Sequence, residues 1–172
     1  MANNTYVAIS TATVGSGGSA NMTFSSIPAT YTDLKIVVNA RTNRSDPVDL
    51  IKIGFNTVNT NQTAVLLYTV GTSVLSTTDS SIYLPCNGNT ATSSIFGYTE
   101  FYIPNYLSTT NAKSVDAYGT NEDNISAFTA YAVFGLWNPG TQAAITSIAL
   151  TSYYSSNFLQ HSTATLYGIK SS

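Results

Sequence analysis

Charged side chains are scarce in this 172-residue chain: four Lys, two Arg, six Asp and two Glu make up 8% of it. Ordinary soluble domains carry about 25%. So few cations exclude an electrostatic nucleic-acid binder, because counterion release needs a cluster of Lys and Arg. Cysteine is reduced to Cys86, which excludes an intramolecular disulfide and a cysteine-based zinc site. Histidine is reduced to His161, so a site of several imidazoles is excluded and a Ser-His-Asp triad has one possible base. No Gly-x-Ser-x-Gly elbow accompanies it, and Cys86 lacks a nucleophile signature. The reading is therefore a non-enzyme without a cofactor. Long apolar runs are missing too. The stretch from Ala130 to Trp137 falls far short of the roughly 20 residues that span a bilayer, so no membrane insertion is expected. The first residues show neither a basic nor an apolar signal region, which points to a chain made in the cytoplasm.

What fills the chain instead is neutral polarity and aromatic bulk. Thr, Ser and Asn account for 64 residues, and twelve Tyr, seven Phe and Trp137 accompany them. No helical period appears, whereas alternation and β-branched or aromatic runs recur from end to end. Strands are predicted at Thr5–Thr11, Asn21–Ser25, Asp33–Thr42, Leu50–Asn56, Ala64–Val70, Ser81–Leu84, Ile95–Ile103, Ser114–Tyr118, Ala127–Trp137, Ala144–Tyr153 and Thr163–Ile169. Turn signals separate them, with Asn138-Pro139-Gly140 the clearest. The expectation is all-β: one domain over residues 1–172, an antiparallel β-sandwich of jelly-roll type.

Candidate sites follow from the same inventory. Acids form two loose groups, Asp46 with Asp49 and Glu122 with Asp123, with no spacing that marks a glycosidase pair. The oxygen-rich segment Gly119–Asn124 suits Ca²⁺ but lacks a loop motif, so a calcium site and a solvated turn both remain open. In Ala127–Trp137 both alternating faces are apolar. One is expected to meet a second sheet, and the other, carrying Tyr131, Val133 and Trp137, to meet a neighbouring subunit. With so little charge to keep copies apart, a homo-oligomer is expected. Tyr153, Tyr154 and Phe158 form a second aromatic group that could contact a partner or a sugar ring.

Three segments carry a resemblance. Gly15-Ser16-Gly17-Gly18 leads into Phe24-Ser25-Ser26-Ile27-Pro28-Ala29-Thr30-Tyr31-Thr32-Asp33-Leu34 and a strand ending at Arg41. Ile53-Gly54-Phe55-Asn56 follows, and Leu166-Tyr167-Gly168-Ile169 lies near the C-terminus. This pattern resembles a family of tailed-bacteriophage virion structural proteins. The resemblance implies a location in the virion. It implies a capsid decoration (cement) protein held between capsomers, with the major capsid protein or other virion proteins as partners. The alternative it allows is a tail-fibre or tail-tip head that recognises host cell-surface glycan. By analogy with such proteins the oligomer would be a trimer. The family has no catalytic pattern, and its motifs read as folding determinants.

Overall fold

A computed structural model describes residues 5–57, 60–70, 72–122 and 129–170. Among them the chain forms twelve strands: β1 (Tyr6–Thr13), β2 (Asn21–Phe24), β3 (Asp33–Ala40), β4 (Val48–Phe55), β5 (Gln62–Val70), β6 (Ser73–Asp79), β7 (Tyr83–Asn87), β8 (Gly97–Ile103), β9 (Lys113–Asn121), β10 (Thr129–Trp137), β11 (Ile148–Ser152) and β12 (Thr163–Ile169). They make two antiparallel sheets. The larger runs β1-β12-β3-β8-β9-β10-β5-β6 and the smaller β2-β11-β4-β7. The expected β-sandwich is thus the fold.

The alternation that predicted strands also sorts their faces. Along β9 every odd residue from Lys113 to Asn121 is buried and every even one exposed. Leu34, Ile36 and Val38 of β3, Phe101 and Ile103 of β8 and Leu66 of β5 point inward from the larger sheet. They meet Met22, Phe24, Ile51, Ile53, Phe55 and Leu150 of the smaller one. Each such side chain contributes about 1.5–3 kcal/mol on leaving water. The smaller sheet covers only part of the larger: β7 packs beneath β8, β9 and β10, while β6 touches β5 and lies beyond it.

The first and last motif segments meet in the larger sheet, and the middle one anchors the approach to β11. Leu34 pairs with Gly168, and Thr32 donates its N–H to the Ile169 carbonyl at 2.8 Å. The Tyr31 ring lies against Gly168 so closely that a Cβ there would sit 2.3 Å from it. Only glycine fits beneath the ring. Asn56 adopts a left-handed φ of 50°. From there its amide accepts from the backbone of Thr146 at 2.8 Å and donates to the Ala144 carbonyl at 2.8 Å.

Several boundaries differ from expectation, among them the start of β11, which is Ile148 and not Ala144. Residues 119–121 continue β9 rather than opening a loop. The expected Ser81–Leu84 strand shifts to Tyr83–Asn87, running through Pro85. β6 is an addition: its sequence SVLSTTD is too polar to announce itself.

Candidate functional site

The outer face of the larger sheet divides into two halves of opposite chemistry. On β3 and β8, Lys35 pairs with Glu100 at 2.8 Å, Tyr98 donates its hydroxyl to Glu100, and Tyr102 donates to Asp33 at 2.7 Å. A phenol that donates to a carboxylate resists ionisation, chiefly through that bond and then through burial, so both phenols are pushed up to about 12. Because the folded pKa lies above the unfolded one, these bonds stabilise fully below pH 10 and lose their contribution as pH rises from about 10 to 12. Tyr98→Phe/Tyr102→Phe is expected to flatten that alkaline fall in a urea-unfolding series.

The other half is apolar. Phe134 of β10 lies opposite Val65 of β5, Ala132 opposite Leu67, and Val74 of β6 stands beside Thr69. Phe134 is 55% exposed and Val74 73%, with Val65, Leu67 and Leu136 also open to solvent. Tyr118 extends the surface onto β9, opposite Ala132. The three strands β5, β6 and β10 carry a single charge, Asp79. Monomeric soluble proteins rarely leave contiguous apolar surface of this kind open.

The face expected to meet a neighbouring subunit is the inner one. Val133 and Trp137 point into the sandwich, fully buried, with Trp137 tilted on Phe55 at 5.4 Å between centroids. Tyr131 shares their direction and is half-buried. Both faces of β10 are apolar, so composition alone did not choose between them. Gly135 carries the missing signal. It lies in phase with Val133 and Trp137, and a Cβ there would meet Ile82 at 2.5 Å. A glycine in one phase of a strand marks the face against which something packs.

The aromatic candidates meet in an unexpected way. Tyr68 stacks on Tyr131 at 5.3 Å, Tyr131 reaches Tyr83 at 6.4 Å, Tyr83 meets Tyr153 at 5.0 Å, and Tyr153 meets Tyr154 at 5.2 Å. This band runs from the larger sheet around the β7 edge. Arg44 lies over Tyr154 at 3.7 Å and Lys52 over Tyr153 at 5.7 Å. Burial, with Asp79 second, pushes the Tyr83 phenol well above its ordinary value, and burial does the same for Tyr131. Tyr83, the link in the middle, lies two residues before Pro85 in a five-residue strand, with no aromatic neighbour in sequence to mark it. Phe158 does not belong to the band. It is fully buried, and its backbone pairs with Ser19 and bridges to Thr42.

At one end of the sandwich a groove of about 610 Å³ is lined by Ser16, Asn43, Asn89, Ser94, Gln160 and His161. Arg41 holds its wall: its guanidinium donates to the carbonyls of Asn89, Ala91, Thr92 and Ile95. Cys86 is fully buried and burial pushes its thiol up, which keeps it an inert core residue. Among the described residues no group of three His, Cys, Asp or Glu side chains could hold a metal ion. Of the calcium candidate, Asp123 and Asn124 lie outside the described residues, and Glu122 accepts from Thr92 at 3.4 Å. No family model, curated protein or solved structure matches the chain.

Proposed function

We propose that this chain is a non-enzymatic structural protein of a bacteriophage particle, a capsid decoration protein that binds between capsomers through the apolar half of its larger sheet. One observation carries this reading: the open apolar surface around Phe134, Val65, Leu67 and Val74, whose neighbouring outward charge is Asp116 opposite Phe134. Burying a few hundred Å² of it at about 25 cal/mol per Å² gives several kcal/mol before ordering costs. The motif resemblance supplies the setting, with the major capsid protein as partner. The strand order lends support by analogy. Without β1, β12 and the β9–β10 hairpin it runs β3-β8-β5-β6 over β2-β11-β4-β7, which we read as a jelly roll, an architecture used by capsid and lectin domains alike.

The tyrosine band favours a second reading, a tail-fibre head binding host glycan. One experiment separates the two. Phe134→Lys/Leu67→Lys is expected to keep its circular dichroism spectrum and lose most binding to particles stripped of this protein, with electron microscopy placing the wild type on the head. Undiminished binding overturns the decoration reading. Loss of cell-surface glycan binding in Tyr153→Ala/Tyr154→Ala would establish the second.

A further inference from the structure

A β-sandwich has four sheet edges, and an edge left with free N–H and C=O groups recruits other strands unless something blunts it. Three edges here are blunted. β1 carries a register shift between Ala8 and Ser10. β2 is only four residues long. β7 has Pro85 at its middle, whose carbonyl already accepts the Thr99 hydroxyl at 2.7 Å. The fourth edge, β6, has none of these devices. Its seven residues SVLSTTD include no Pro, Gly, Lys or Arg, and its register against β5 is unbroken from Ser73 to Asp79. All but Asp79 are exposed. Even that acid is engaged locally, accepting the Ser81 N–H at 2.8 Å.

We propose that β6 is a pairing edge for a second copy of this chain, joined β6 to β6 antiparallel about a two-fold axis through Ser76. The strand is complementary to itself in that register. Two-fold pairing keeps outward residues opposite outward residues only when it centres on a residue, because side chains alternate with period two. Centred on Ser76, Val74 stands opposite Thr78 of the second copy and Leu75 opposite its Thr77. Asp79 falls opposite Ser73, so no like charges meet. The result is one sixteen-stranded sheet, twice the eight of a single chain. Its outer side joins the two apolar surfaces around Phe134 and Val65 into one. The contact is isologous and closes at two copies, in place of the trimer that analogy suggests. It goes beyond the proposed place in the particle and does not depend on it.

Cysteine cross-linking tests the register directly, since Cys86 is fully buried and leaves a clean background. Under mild oxidation at micromolar concentration, Ser76→Cys is expected to form a covalent dimer, because two-fold-related residues at the axis lie within disulfide reach. Val74→Cys is expected to stay uncross-linked, its mate lying four positions away in the pairing. Sedimentation should give about twice the 18.2 kDa of one chain. Ser76→Lys, which places two ammonium groups opposite each other, should weaken the dimer by about fivefold or more. A wild-type monomer or trimer overturns the proposal. So does a dimer in which Ser76→Cys fails to cross-link and Ser76→Lys changes nothing. Binding of Ser76→Lys to stripped particles is read separately, through the Phe134 surface, so loss of pairing and loss of particle binding are distinguishable.

Discussion

Arg41→Ala is expected to cost about 4 kcal/mol of folding stability, more than any single apolar truncation on the open face of the larger sheet. Arg41 is 6% exposed and its guanidinium donates to four backbone carbonyls, those of Asn89, Ala91, Thr92 and Ile95. These four belong to the crossing between β7 and β8, which has no strand partner of its own to satisfy them. A charged donor contributes about 1.5–3 kcal/mol per hydrogen bond, and the four do not add independently because they share one group. Removing the side chain strips the Asn89 and Ala91 carbonyls of their donor, while Thr92 keeps the Ile95 N–H and Ile95 keeps the Asn87 amide. Arg41→Lys keeps the charge but lacks the planar fork, so it should recover less than half of the loss. Urea unfolding of both variants checks the ranking. A lysine variant as stable as wild type would show that charge alone, and not the fork, holds the crossing.

Asp49→Ala is expected to lose about 3 kcal/mol by the opposite route, removing one acceptor from several donors. The Asp49 carboxylate is fully buried. It accepts the Thr42 hydroxyl at 2.6 Å, the Ser152 hydroxyl at 2.9 Å and the Leu50 N–H at 2.7 Å. It thereby ties β4 to the end of β11 and to the residue following Arg41. Asp49→Asn keeps the volume but turns two N–H donors toward groups that also donate. It should therefore recover only part of the loss, read again from urea midpoints. Full recovery in the asparagine variant would mean that the hydroxyls reorient freely and that shape, not acceptor count, is what Asp49 supplies.

The residues behind these two predictions were not legible as such. Asp49 entered the sequence reading only as half of a loose acidic pair with Asp46, and Arg41 only as the end of a strand. The carbonyls that Arg41 holds begin 48 positions away and the Ser152 hydroxyl that Asp49 accepts lies 103 away, distances that no local pattern encodes. Alternation was legible, because burial on one face imposes a period of two. It placed β12 at its observed bounds and located the other main strands to within a few residues. The failures share a cause. β10 is apolar on both faces, so its phase was open until Gly135 was seen against Ile82. β6 shows no apolar alternation because no second sheet lies beneath it. The tyrosine band joins residues from β5, β7, β10 and the end of β11, and its two visible ends gave no hint of Tyr83 between them.

The place of β12 in the larger sheet constrains the order in which the fold can be assembled. It lies between β1 and β3, which are adjacent strands of that sheet only through it. Thr163 of β12 pairs with Asn39 of β3 on one side and with Thr13 of β1 on the other. During synthesis β1 and β3 therefore wait, each with an open edge, until a strand made more than a hundred residues later arrives to fill the gap. Closing so long a loop is entropically slow, and sheets that depend on it fold at the slow end of the single-domain range. Through that interval the hydrophobic inner faces of β1 and β3 are exposed to other nascent chains, and a quickly assembled β8–β9–β10 meander is the element able to shelter β3. Yield in the cell should thus be governed by the time taken to insert one late strand between two early ones rather than by the stability of the finished sandwich.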